Sequence, residues 1–275
     1  MLEPKLPADL ERIIFELAAH EDRQTTLDII LVARRCRAWI ERILYRSLVV
    51  CQSSWGLPIL LRTLESDPDR FAELIKDVRI DPYITLNTPA VSRILSICTG
   101  IVHLVDLSYG RTPLSVIHPL RLERMCISLD AIESTPEHAF RSPAFTRLTH
   151  LQLLDPPKTW PRIPFSDLPS LTHLALHNYV ADIRTENVPV LENILASCSL
   201  LEVLVVCIPF CRPQDRNVET ARLLAEMPRI VVLSRPNNSS HDLWPQEQYT
   251  AQETILIRDP WRKKPTRRRR KKRTV

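Results

Sequence analysis

His173 and His177 stand four residues apart, as do Cys207 and Cys211, the spacing at which two side chains on one helical turn can share a metal ion. The stretch around the histidines, "LTHLALH", alternates instead and reads as a strand. There, positions four apart point the same way but lie about 13 Å from each other, beyond the reach of one ion. Cys207 and Cys211 flank Pro209 with no second pair of similar spacing, so they read as buried or idle thiols and no metal is expected. No Ser/His/Asp or Cys/His constellation can be assembled from spacing. With only three glycines, Gly56, Gly100 and Gly110, the chain lacks the material for phosphate-cradling loops, dinucleotide fingerprints or a nucleophile elbow. Neither a cofactor nor catalysis is expected.

The histidines gain meaning from position. His103, His150 and His173 each stand just before the second leucine of a recurring pattern. Alternation puts them, with Val105, Arg124, Cys126, Gln152, Ala175, His177, Val203 and Val205, on the side opposite the inward leucines. From this set His103, Arg124, His150, Gln152, His173 and His177 are the candidate surface for a protein partner. Taken singly, each is also what a solvated strand residue looks like.

A second charged feature lies near the end of the sequence. The formal net charge is +5, yet Arg262 to Arg273 hold ten Lys or Arg and no acid, which leaves 27 basic residues against 32 acidic ones elsewhere. Lys263, Lys264, Arg267, Arg268, Arg269, Arg270, Lys271, Lys272 and Arg273 are candidates for nuclear import through an importin or for phosphate contact with nucleic acid, or they serve as a solvated end. Aromatics are not interleaved among them, and Trp261 stands alone at their border, which argues against base stacking. Charges this dense preclude a packed fold, so 259–275 read as a disordered basic tail.

The elements that must carry these residues come from periodicity. "ILSICTGIVHL" from Ile94, "ILASCSLLEVL" from Ile194 and "LLAEMPRIVVL" from Leu223 share one register, and its second half returns around positions 122, 148 and 171. The middle positions 101, 122, 148, 171, 201 and 230 are spaced by 21, 26, 23, 30 and 29 residues. Several units continue as L-x-x-L-x-L, including "LTHLQL" from Leu148 and "LTHLAL" from Leu171. Units of that length and pattern predict a mixed α/β fold over 48–258, an irregular leucine-rich-repeat-like solenoid with one short parallel strand per unit. The match is imperfect: the repeat asparagine is missing and Asp106 sits where an apolar residue is expected. An ordinary α/β domain with Leu-rich strands is the alternative.

Residues 1–47 read as three helices. In "LPADLERIIFELAA" from Leu6, Pro7 opens the helix, and Leu10, Ile13, Ile14, Leu17 and Ala18 form one stripe that is expected to face inward, with Phe15 off it. Thr26 can cap a second helix showing Leu27, Ile30 and Leu31. A third shows Cys36, Trp39, Ile40, Ile43 and Leu44, with Arg34, Arg35, Arg37, Glu41 and Arg42 opposite. The start "MLEPKLPADL" has no basic-then-apolar leader pattern, and no apolar run approaches the roughly 18 residues of a membrane span. Seven unframed cysteines read as reduced thiols, and the expected location is the nucleus, or nucleus and cytoplasm.

The front module resembles an F-box, in particular those of fungal proteins in which a short F-box precedes irregular leucine-rich repeats. Leu6-Pro7-Ala8-Asp9-Leu10 matches the family's Leu-Pro-x-Glu/Asp-Leu opening, Ile13, Ile14 and Leu17 its first-helix apolar set, and "LVARRCRAWIERILYRSLVV" from Leu31 its third helix. Ala33 stands where the family usually has Cys or Ser, and Cys36 where it usually has Trp or Phe. The resemblance implies a noncatalytic substrate receptor, monomeric outside its complex. Leu6, Pro7, Leu10, Ile13, Phe15, Val32 and Cys36 would dock on the adaptor of an SCF-type cullin-RING ubiquitin ligase, and through it on the cullin, while the repeats hold the target. Phe15 packed beneath the first repeat is the other reading of that residue. A repeat-based binding protein outside the ubiquitin system, with its tail on nucleic acid, is the alternative for the whole chain.

Overall fold

The computed structural model describes residues 6–235, apart from 22, 52–55, 83, 85–87, 109–111, 133–134, 178–186, 210–221 and 225. Three helices come first: α1 (Ala8–Glu21), α2 (Arg23–Val32) and α3 (Arg34–Leu44). There follow β1 (Ser47–Val50), α4 (Gly56–Ser66), α5 (Pro68–Leu74), β2 (Asp77–Ile80), α6 (Thr88–Ile97), β3 (His103–Asp106), α7 (Leu114–Ile117) and β4 (Arg124–Ile127). The chain continues through α8 (Pro136–Ala139), β5 (His150–Leu153), β6 (His173–His177), α9 (Val188–Ser197), β7 (Val203–Pro209) and β8 (Ile230–Arg235). Single 3-10 turns such as Pro143–Phe145 and Phe165–Asp167 replace helices in the shorter units.

The strands form one sheet in chain order, β1 to β8, and the six pairings from β1 through β7 are all parallel. One carbonyl just before each of β1 to β6 takes two backbone N–H groups from the next unit. Arg46 accepts from Lys76 and Asp77, Lys76 from Val102 and His103, Val102 from Glu123 and Arg124, Glu123 from Thr149 and His150, Thr149 from Thr172 and His173, and Thr172 from Glu202 and Val203. The step repeats because each unit meets its neighbour in the same register, the signature of a solenoid.

That register stacks equivalent side chains into rows. Leu48, Val78, Leu104, Met125, Leu151, Leu174 and Leu204 form one, and Val50, Ile80, Asp106, Ile127, Leu153, Leu176 and Val206 the next. Apart from the half-buried Leu48, both are buried and lie in the main core with Phe140, Phe145 and Trp160. The spaced positions Ile101, Leu122, Leu148, Leu171, Leu201 and Ile230 are buried too, each at or two residues before a strand start. Two units went unread in the sequence, Tyr45-x-x-Leu48-x-Val50 and Ile75-x-x-Val78-x-Ile80, where other apolar residues replace most of the leucines.

Asp106 keeps its place in an apolar row because its oxygens are satisfied. It accepts from the Ser108 N–H (3.0 Å) and hydroxyl (2.6 Å) and from the Thr112 hydroxyl (3.1 Å). Asp155 does the same beyond β5, taking the Leu129 N–H at 2.9 Å and the Ser128 hydroxyl at 3.0 Å. Buried polar groups persist where such partners exist.

Burial pushes the Asp106 carboxyl above its ordinary range, and the bonds from Ser108 and Thr112 offset only part of this. A carboxyl raised on folding binds its proton more tightly in the native state. Its contribution is therefore favourable below the unfolded pKa and is lost as pH rises through the folded one. Asp106→Asn keeps the acceptor for Ser108 and removes the charge. It should melt higher than the parent near neutral pH, with the gap closing towards about pH 4, where an ordinary aspartate is half protonated. Thermal melts of both proteins across that range measure the gap.

Candidate protein-recognition surfaces

One row faces away from the core, and the register assigns its members: Ser47, Asp77, His103, Arg124, His150, His173 and Val203, one from each of β1 to β7. None is fully buried, and Arg124 is exposed. Parallel strands lie about 4.8 Å apart, so neighbours in the row are within reach of one another.

The row divides into bonded groups. Asp77 accepts from the Ser47 hydroxyl (3.2 Å) and from Arg46 Nε (3.3 Å) on one oxygen and faces His103 Nδ1 at 2.5 Å with the other. Burial pushes the Asp77 carboxyl up, but the bond from His103 and the charges of His103 and Arg46 outweigh it and hold it below the ordinary range. Further along, the His150 and His173 rings stack at 4.3 Å between centroids with planes 7° apart.

The threonine before each stacked histidine fixes its tautomer. Thr149 donates its hydroxyl to the Glu123 carbonyl (3.0 Å), and Thr172 donates to the Thr149 carbonyl (3.1 Å). A hydroxyl has one proton to give. The contacts from Thr149 Oγ1 to His150 Nδ1 (2.9 Å) and from Thr172 Oγ1 to His173 Nδ1 (2.7 Å) therefore need the proton on the imidazole. Both rings carry Nδ1–H, and both are oriented by the backbone of the preceding strand.

The second outward row is closed over β4, β6 and β7, which corrects part of the expected surface. Cys126 and Ala175 are small and sit in register between larger neighbours, Val105 and Gln152 for the first and Gln152 and Val205 for the second. They are shaded below the neighbouring side chains, and Val205 is buried with them. Gln152 remains half-buried. His177, expected as a contact residue, is only 4% exposed at the end of β6 beside Cys207 and belongs to the interior. Alternation had put it on the right side of the sheet without showing how deep it lies.

A different surface dominates the helical module. This module has its own small cluster of Ala19, Ile29, Cys36 and Ile40, with Phe15, Ala18, Ile30, Ala33, Trp39 and Ile43 packed on it. The first helix is turned opposite to expectation. Phe15, Ala18 and Ala19 themselves stand at i, i+3, i+4, and two alanines let the neighbouring helices approach closely. The larger stripe of Leu10, Ile13, Ile14 and Leu17 points out. With Leu6 just ahead of α1 and with Leu27, Leu31 and Val32 on α2, it makes eight of the twelve exposed large hydrophobics among the described residues, Leu31 reaching 82% exposure.

Of the expected docking residues, Leu6, Pro7, Leu10, Ile13 and Val32 are exposed. Phe15 and Cys36 do not: the Phe15 ring packs on the module's own cluster, and Cys36, 0% exposed, is at its centre. Leu17, expected inside, is exposed as well. Thr26 is no cap. It lies within α2 and donates its hydroxyl to the Ala19 carbonyl at 2.8 Å, tying α2 to α1.

None of the described cysteines is in a disulfide, and all but Cys51 are buried. Burial pushes Cys98 up to about 12 and Cys198 to about 11, so neither supplies a thiolate near neutrality. Among the described residues no group of three or more His, Cys, Asp or Glu is placed to hold a metal, and no helix is long and apolar enough to cross a membrane. Cys211 and the basic residues 263–273 lie outside the described residues.

No family model matches the chain, and no curated protein matches it. One solved structure, a TLR13–ssRNA13 complex, is similar over 60% of this chain at 17% identity with a TM-score of 0.37. The match spans 23% of that chain's length, and a likeness so distant carries no argument about activity or partners.

The two kinds of histidine should separate in stability. His150→Ala, on the outward row, should change the melting temperature little, since surface substitutions typically stay within about 0.5 kcal/mol. His177→Ala empties a buried site and should cost about 1–3 kcal/mol. Paired denaturant titrations read the difference.

Proposed function

We propose that this protein is a noncatalytic substrate receptor of an SCF-type cullin-RING ubiquitin ligase. Its N-terminal helices dock on the ligase adaptor, and its repeats hold the target protein. The carrying observation is the exposed apolar face of α1 and α2, eight large side chains on a module with a small core of its own. Exposed large apolar side chains concentrated on two neighbouring helices mark a docking surface, and a helical partner is the natural cover for a helix face. The Leu6-Pro7 entry and the first-helix residues that resemble an F-box lie on that face, which gives the resemblance a physical purpose. Monomeric protein outside the complex fits a sheet whose outward row is polar.

Leu10 and Leu17 are 49% and 63% exposed, so each has on the order of half of the roughly 1.5–3 kcal/mol of a fully buried leucine still to gain in a complex. Leu10→Ala with Leu17→Ala should weaken capture of the purified adaptor about ten- to two-hundred-fold and leave the melt nearly unchanged. Cys36→Arg, in the module's centre, should unfold the module and abolish capture together with the helical signal. Wild-type protein that fails to capture the adaptor, under conditions where an authentic F-box does, sinks the ligase reading and leaves the repeat-based binding protein.

The basic tail we assign to nuclear import. Removing 262–275 should move a fluorescent fusion from nucleus to cytoplasm without altering the melt of the purified protein. Should nuclear signal persist, the tail is instead a phosphate contact or a solvated end. Duplex binding that falls with salt at about −0.9 in log-log slope per phosphate contact identifies the former.

A further inference from the structure

Arg124 stands in the middle strand of the outward row, and its neighbours on both sides are already engaged elsewhere. On β3, His103 turns its Nδ1 to Asp77 of β2. On β5, His150 stacks on His173 of β6 and gives its Nδ1 proton to Thr149. The row thus reads as a bonded group on β1 to β3, a lone guanidinium on β4, and a stacked pair on β5 and β6. Arg124 is exposed and makes no ion pair or hydrogen bond among the described residues. The nearest carboxylate in sequence, Glu123, faces Arg147 at 3.5 Å. The one acid of the row is committed: Asp77 holds Arg46, Ser47 and His103.

We infer that Arg124 is the anchor for a carboxylate, a glutamate or aspartate side chain on an extended acidic segment of the target protein. This deepens the repeat-based binding within the proposed function and does not depend on the adaptor. The guanidinium fork takes both oxygens of a carboxylate in one plane. Charge favours the monoanion over a phosphate dianion. Arg124 is the only Arg or Lys in the row, so the row itself offers one permanent positive charge. The backbone-tethered imidazoles on β5 and β6 present a fixed aromatic wall beside it, so the segment meets a preformed surface and little ordering is required on binding.

The test uses the full chain and labelled peptides that alternate Ser with Glu, Ser with Gln and Ser with phosphoserine, read by fluorescence anisotropy. The Glu peptide should bind and the Gln peptide should not. Arg124→Gln should weaken the Glu peptide about tenfold or more, and Arg124→Lys, which keeps the charge without the fork, should recover only part of the loss. Arg141→Gln, at an exposed arginine already paired with Asp167, should match wild type. Unchanged melting of Arg124→Gln checks that the fold survives. The inference is overturned if the Gln peptide binds equally, if Arg124→Gln keeps the Glu affinity, or if the phosphoserine peptide loses more than the Glu peptide when Arg124 is replaced. Adaptor capture by the same variants should stay at the wild-type level, so failure of the peptide result and failure of the ligase reading are told apart.

Discussion

Everything in the repeat region depends on one constraint, the fixed register by which each strand meets the previous one. The carbonyls of Arg46, Lys76, Val102, Glu123, Thr149 and Thr172 each hold two N–H groups of the following unit, so no unit can slide without breaking both. A slip of one residue would turn every leucine outward. Because the step never changes, residues that are 21 to 30 positions apart in sequence become lateral neighbours. The core rows and the polar outer row are two faces of that one rule. The outer row gathers Ser47, Asp77, His103, Arg124, His150 and His173 although nothing in the local sequence of any one strand connects them.

This explains which parts could be read from the chain alone. Positions 101, 122, 148, 171, 201 and 230 recur in one pattern, and a pattern that fixes register also fixes which side chains share a row. The first two units escaped because Tyr45, Ile75 and Val78 do the work of leucine. Depth was less legible than side: His177 lies on the outward parity yet is buried, since alternation carries no information about how far the neighbouring side chains rise. In α1 the difficulty was different. Both Leu10-Ile13-Ile14-Leu17 and Phe15-Ala18-Ala19 satisfy helical spacing, and the larger stripe, which usually marks the core, is here left to solvent. Small residues on a helix signal close approach of a neighbour, and that signal outweighed the greater apolar bulk.

The helical module and the repeats keep separate hydrophobic clusters, joined at a narrow seam. Glu41 of α3 binds Arg37 within its own helix and Arg70 at the start of α5, and Tyr45 meets Phe71 edge-on at 5.3 Å. Arg46, just past α3, reaches Asp77, the residue whose other oxygen holds His103. A cluster as small as that of Ala19, Ile29, Cys36 and Ile40 buries too little to hold three helices firmly by itself. The seam supplies an anchor, and a cover over the outward leucines would supply the rest. Asp77 is thus shared between the support of the module and the outward row.

A sheet whose spatial order equals its chain order has a consequence for biosynthesis. Each strand's only long-range requirement is the strand made just before it, so a nascent chain leaving the ribosome can add one unit at a time to a finished edge and never waits for a distant segment. The growing end always shows a row of unpaired backbone groups until the next unit covers it. The α1 and α2 leucines, translated before every strand of the sheet, gain no cover from that growth and stay exposed as each unit is added.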